Sequence, residues 1–138
     1  MKVNLKANYP DVGLLIIRVG LGIMSIYHGW PKITGGPEQW ENIGQAMGVF
    51  GIHFLPAFWG FMAALSEAGG GFLLILGIFF RPACIFLFIT MVVAASMHLN
   101  QADELLKGLS QASHAIKAAV VYLGLMLSGP GGIRFSSK

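Results

Sequence analysis

Charge is scarce in this chain of 138 residues. Only 11% of it is Asp, Glu, Lys or Arg, while 55% is apolar and the mean hydropathy is +0.69. A soluble domain carries about a quarter charged residues, so the composition predicts an integral membrane protein in one bundle. Cysteine is nearly missing as well. A lone Cys84 excludes a disulfide framework, a CxxC redox pair and a protein-held iron–sulfur cluster. No basic tract with interleaved aromatics points to nucleic acid. No flavin or haem motif is present. The four histidines, His28, His53, His98 and His114, show no HxxxH or HxxE spacing, so no metal site is expected. The amino terminus lacks a cleaved-signal pattern, and the first apolar run reads as a retained helix.

The stretch from Pro56 to Phe80 sets the problem for the rest. Its 25 residues hold one charge, Glu67, and as a helix they reach roughly 37 Å, enough to cross a hydrocarbon core. A carboxylate at that depth costs several kcal/mol unless it is paired, protonated or facing water. Gly60, Ala63, Ala64, Gly70 and Gly71 share its face, so another helix backbone can come close. The first span, about 11–28, carries one charge of its own, Arg18. It falls in a stripe with Gly22, Ser25, Gly29 and Lys32. Arg18–Glu67 is therefore the expected structural ion pair.

The remaining elements follow from pattern. Pro10 and Asp11 suit the start of a first helix that stops near Gly29 and Pro31. Residues 29–55 are too polar and glycine-rich to span. Within them Trp40, Ile43, Met47 and Phe50 recur at helical spacing, which predicts a short interfacial or re-entrant helix over about 38–51. Spans two to four are expected at about 56–80, 82–99 and 113–128, with a tight turn at Arg81–Pro82, Ser113 capping the last helix, and Gly129-Pro130-Gly131-Gly132 ending it. The fold class is all-α, a four-transmembrane-helix bundle forming a single membrane domain over 1–138. Four spans put both termini on one side with Lys2, Lys6, Arg81, Arg134 and Lys138, against Lys32, Lys107 and Lys117 opposite. The positive-inside rule then places both termini in the cytoplasm. All four histidines gather on the outer side, which predicts an outward pocket floored by the charge pair and rimmed by histidines and lysines. Cys84, Met91, Ala94 and His98 share one face of span three, and Cys84 reads as an inert buried hydrophobe.

RVGLGIMSIYHGWPK, ALSEAGGGFLLILGIFFRP, the His98 segment and the terminal SGPGG, in that order over about residues 12–132, resemble the DoxX family of small four-helix membrane proteins. His28, Gly29 and Lys32 match its HGxxK element, Glu67 the glutamate before its glycine run, His98 its third-helix histidine and Arg18 its first-helix arginine. The resemblance implies a plasma (inner) membrane subunit of oxidoreductase systems, one branch being associated with thiosulfate:quinone oxidoreductase and another with thiol or superoxide handling.

Two functions stand side by side. In a quinone-linked subunit, His28 and His98 hydrogen-bond the head group and Lys32 stabilises negative charge. Glu67 relays protons, giving a catalytic set of Glu67, His28 and His98 within a binding set of His28, Lys32, Glu67, His98 and His114. A quinone is then the cofactor, with none bound covalently, and electrons come from a soluble or membrane redox partner. In the alternative, the chain is a non-catalytic scaffold or anchor that recruits a soluble redox enzyme or assists assembly. Outward metal binding and solute transport rank behind both. Four helices bury little surface, which leaves a homodimer open.

Overall fold

A computed structural model describes residues 2–3 and 8–136. Within them the architecture is helical. The helices are α1 (Tyr9–Thr34), α2 (Gly36–Gly44) with a 3-10 continuation Gln45–Phe50, α3 (Pro56–Leu76), α4 (Phe80–Gln101) and α5 (Leu105–Ser128). Two-residue strands β1 (Lys2–Val3) and β2 (Phe135–Ser136) pair antiparallel and tie the termini together. Lys6 and Lys138, counted above toward that end, lie outside the described residues.

Three helices, α1, α3 and α4, are long and apolar enough to cross a membrane. Their outward faces carry large apolar side chains such as Ile16, Ile23, Phe72, Phe86 and Ile89, as expected of surfaces that meet lipid. The fourth expected span differs. At 24 residues α5 is long enough, but its first half carries Lys107, Gln111, His114 and Lys117.

Helix ends differ from the sequence reading in three places. First, α1 does not stop near Gly29 but runs through Pro31 to Thr34. Pro31 is exposed, so the carbonyl it leaves without an amide partner can be solvated, and Trp40 Nε1 donates to Lys32 O at 2.8 Å from the next helix. Second, the turn into α4 lies at Gly77–Phe79, and Arg81 and Pro82 belong to the first turn of α4. Gly77, at φ 73°, closes α3 in the left-handed conformation, with its N–H donating to Leu73 O at 2.8 Å. Third, Ser113 is no cap. Its hydroxyl donates to Ser110 O at 2.8 Å inside α5, which begins at Leu105 because Gly108, Ala112, Ala115 and Ala119 form a buried small stripe. The stop after Ser128 is as expected.

The helices assemble as two antiparallel pairs, α1 on α3 and α4 on α5, joined through α3 and α4. The first seam is made of small residues. The buried residues of α1 are Arg18, Gly22, Ser25 and Gly29, the same stripe read from the sequence. A Cβ on Gly29 would lie 2.4 Å from Ala68 N, and one on Gly71 would lie 2.6 Å from Gly22 O, so the two backbones touch where no side chain fits. The larger apolar core, Leu74, Phe80, Cys84, Leu87, Tyr122 and Leu125, fills the half of the bundle near the termini, and Cys84 is fully buried there. A smaller core of Ala95, Ala112 and Ala115 lies toward the opposite end.

Candidate functional site

Glu67 is 3% exposed, and the partner it finds is Lys32. Lys32 Nζ donates to Oε1 at 2.8 Å and to Oε2 at 2.9 Å. The expected Arg18–Glu67 pair is therefore wrong, and register explains why. In the antiparallel seam Gly29 lies against Glu67 and Ala68, while Gly22 lies against Gly71 and Ile75. One further turn toward the amino terminus of α1 puts Arg18 level with Ile75 and Gly77, about two turns of α3 beyond Glu67. There Arg18, 1% exposed, donates to Pro130 O and, at 3.4 Å, to Ile75 O. It closes off carbonyls at the carboxyl end of α3 and in the terminal turn, a position where the helix dipole favours a cation. The extension of α1 through Pro31 is what brings Lys32 to the carboxylate.

From this ion pair a cleft of about 200 Å³ runs between the two helix pairs toward Ser25 and Tyr122, so the pair stands at its histidine end and is not the expected floor. Each helix contributes along one face. From α1 come Leu21, Ser25, His28 and Lys32, from α4 Met91, Ala94 and His98, and from α5 Gln111, Ala115, Ala118 and Tyr122, with His114 beside them. These are i, i+3/i+4, i+7 stripes, so one face of each helix supplies both polar groups and apolar wall. The His28 and His114 rings lie 5.6 Å apart between centroids, and the Tyr27 ring meets His28 edge-on at 5.4 Å. At the apolar end of the cleft Ser25 Oγ and Tyr122 Oη share a 2.6 Å hydrogen bond, which joins α1 to α5 across the gap.

The structure thus brings together His28, Lys32, Glu67, His98 and His114 in one cavity. His53 stands apart, exposed in the connection before α3, with its ring close to Gly48. The expected rim is therefore made of three histidines. Lys117, exposed on α5, does not line the cleft. Among the described residues no group of three or more His, Cys, Asp or Glu is placed to hold a metal ion.

Sequence reasoning missed Tyr122 and Gln111 as site residues. A last span starting at about 113 leaves Gln111 outside it. Once α5 is extended back to Leu105, Gln111, Ala115, Ala118 and Tyr122 fall on one face. A single phenol in an otherwise apolar half-helix, seven and eleven residues from Ala115 and Gln111, was the available signal.

The cleft has the chemistry of a site for a small, flat, partly polar molecule. Its apolar walls can sandwich a ring. Lys32 has a third N–H beyond the two that Glu67 takes, and each of the three imidazoles offers ring nitrogens for hydrogen bonding.

Comparison with known proteins gives a consistent picture. The chain is 33% identical over 124 residues to the inner membrane protein YqjF of Escherichia coli K12, an alignment covering 88% of this chain and 87% of that protein. No solved structure matches. The chain is a multi-pass membrane protein, and residues 13–99, from the first turns of α1 to the end of α4 and so including Lys32, Glu67 and His98, match the DoxX family model: it belongs to the DoxX family.

Proposed function

We propose that this protein is the membrane-embedded, quinone-binding subunit of an oxidoreductase system. The observation that carries the reading is the convergence of three histidines, the Lys32–Glu67 pair and the Ser25–Tyr122 hydroxyls on one apolar-walled cleft of about 200 Å³. A quinone needs a slot for its ring, a donor at each carbonyl oxygen and proton carriers nearby. The donor set fits that need. A quinone supplies two-electron, two-proton redox chemistry when bound. Lys32 places a positive charge where the oxygen becomes negative on reduction. His28, His98 and His114 deliver or accept the protons. With both Glu67 oxygens engaged by Lys32, the carboxylate serves to orient and neutralise the ammonium, which favours this role over proton relay. Electrons come from a redox centre on a partner protein, since a lone Cys84 gives this chain neither a cysteine pair nor the thiolates of an iron–sulfur cluster.

In this reading α5 completes a fourth crossing in a single membrane domain, with its polar first half facing the cleft and the outer interface. Both termini and the Arg81 turn lie in the cytoplasm, and the cleft opens on the outer side. A homodimer, by covering exposed apolar faces, is compatible with the arrangement.

The test is mass spectrometry of lipids retained by the detergent-extracted protein. A quinone held in stoichiometric amount, lost in His28→Ala/His98→Ala and kept in His53→Ala, is the expected result. No quinone in wild type, and no quenching of Trp or Tyr fluorescence on adding one, would instead favour the non-catalytic scaffold that recruits a redox enzyme.

A further inference from the structure

The opposite end of the bundle from the histidine cleft carries a second concave site. An open groove of about 490 Å³ is lined by the turn Gly77–Phe79, by Phe80 and Arg81 at the start of α4, and by Pro130, Arg134 and Phe135 of the terminal segment. Its electrostatics are one-sided. Arg81 and Arg134 line the groove and are exposed, and Arg18 lies directly behind its wall. Arg18 Nη1 and Arg134 Cβ each lie 2.9 Å from the point where a Cβ on Gly77 would stand, so the two side chains converge there. Among the described residues no carboxylate lies within 4.0 Å of any of these three guanidinium groups. The acid at this end, Asp11, accepts from Gly132 N at 2.6 Å. Arg18 Nε, fully buried, has no hydrogen-bond partner. The first turn of α4, which supplies Phe80 and Arg81 to the groove, also has no side-chain cap, so its free amides add partial positive charge. Phe79, in the turn that lines the groove, is 76% exposed.

We infer that this groove binds the phosphate of an anionic phospholipid headgroup. Two exposed guanidinium forks clasp the phosphate, the amino end of α4 and the buried Arg18 add field, and Phe79 lies along the acyl chain. Soluble phosphate shares the recognising chemistry. A lipid fits better because Phe79 presents apolar surface next to the cations, where a free anion gains nothing.

Native mass spectrometry of the full-length protein, extracted in neutral detergent and titrated with phosphatidylglycerol or phosphatidylcholine, tests the site. Each basic residue near a headgroup contributes about fivefold in affinity, so Arg81→Gln/Arg134→Gln should weaken phosphatidylglycerol binding by roughly thirtyfold. Lys107→Gln/Lys117→Gln, at the other end, should leave it unchanged. Arg81→Lys/Arg134→Lys, which keeps the charge, should retain most of the preference and guards against loss of folding. Phosphate ions raising the thermal midpoint of wild type but not of the glutamine double variant, without any lipid preference, would support the same anion site with a soluble source. Equal binding of the two lipids together with no effect of phosphate, or a preference unaffected by the glutamine double variant, would overturn the inference.

Discussion

Removing Lys32 should cost more than removing its partner. In Lys32→Met the ammonium disappears and Glu67, 3% exposed and embedded in the α1–α3 seam, keeps a carboxylate with neither of its two hydrogen bonds. Breaking a buried pair from one side typically costs 3–5 kcal/mol. The Lys32 side chain is 32% exposed, so water reaches the site and the lower end, about 3 kcal/mol, applies. In Glu67→Gln the lysine can turn toward that water, and the amide oxygen still accepts one of its N–H groups, so about 1 kcal/mol is expected. The double variant Lys32→Met/Glu67→Gln has no buried charge and should lie nearer the glutamine single than the methionine single. Reversible unfolding in mixed detergent micelles, followed by far-UV circular dichroism, measures all four corners of the cycle. Arg18→Gln serves as the comparison. It sits about 21 Å along α1 from Lys32 and should add independently to Glu67→Gln. Additive Lys32 and Glu67 effects, or coupling between Arg18 and Glu67, would refute the register on which the site rests.

Other substitutions probe the same geometry. Gly29→Ala drives a methyl to within 2.4 Å of Ala68 N and should destabilise by about 1–3 kcal/mol, whereas Gly20→Ala meets nothing within 4 Å and should gain up to about 1 kcal/mol from helix propensity; thermal melts of the two variants compare them directly. Tyr122→Phe leaves the buried Ser25 hydroxyl without its 2.6 Å partner and should cost about 1 kcal/mol in the same micellar unfolding assay. Cys84, fully buried, should resist maleimide in the folded protein and react after unfolding in SDS. With Cys84→Ala as background, single cysteines at Asp103 and at Arg134, both exposed, should label from opposite sides of sealed vesicles; labelling from the same side would remove the fourth crossing.

The helical class, the small stripe on α1 and the need for a partner to Glu67 were legible because each depends on local composition and period. Gly22, Ser25 and Gly29 are spaced for one face wherever the helix lies. The identity of the partner was not legible, because it depends on how far α1 slides along α3. Nothing in either segment states that offset. The sequence reading paired the two deepest-looking charges, treating scarcity of charge as if it fixed position. Ending α1 near Gly29 left Lys32 as a residue of the pocket rim, although it falls in the same stripe as Arg18, Gly22, Ser25 and Gly29. An exposed proline near a helix end is a weak terminator when the following turn has tertiary contacts of its own, here from Lys32 to Glu67 and from Trp40 to the Lys32 carbonyl.

The polar half of α5 was hidden for a related reason. Lys107, Ser110, Gln111 and Ser113 look like a loop when every helix is assumed to meet lipid on all sides. Gly108, Ala112, Ala115 and Ala119 bury a seam against α4, which frees the adjoining face to hold Gln111 and His114 over the cleft. Small residues and polar residues thus occupy neighbouring stripes of one helix, and the first is the condition for the second. Close backbone contact on the α4 side leaves α5 standing off from α1. That gap, bridged at one end by Ser25 and Tyr122 and flanked at the other by His28 and His114, is the cleft. The same logic holds on α1, where the seam against α3 and the polar face toward α5 meet at Lys32. A substitution that swells either seam, such as Gly29→Ala, should therefore change the site through helix spacing before it changes any residue that touches a ligand.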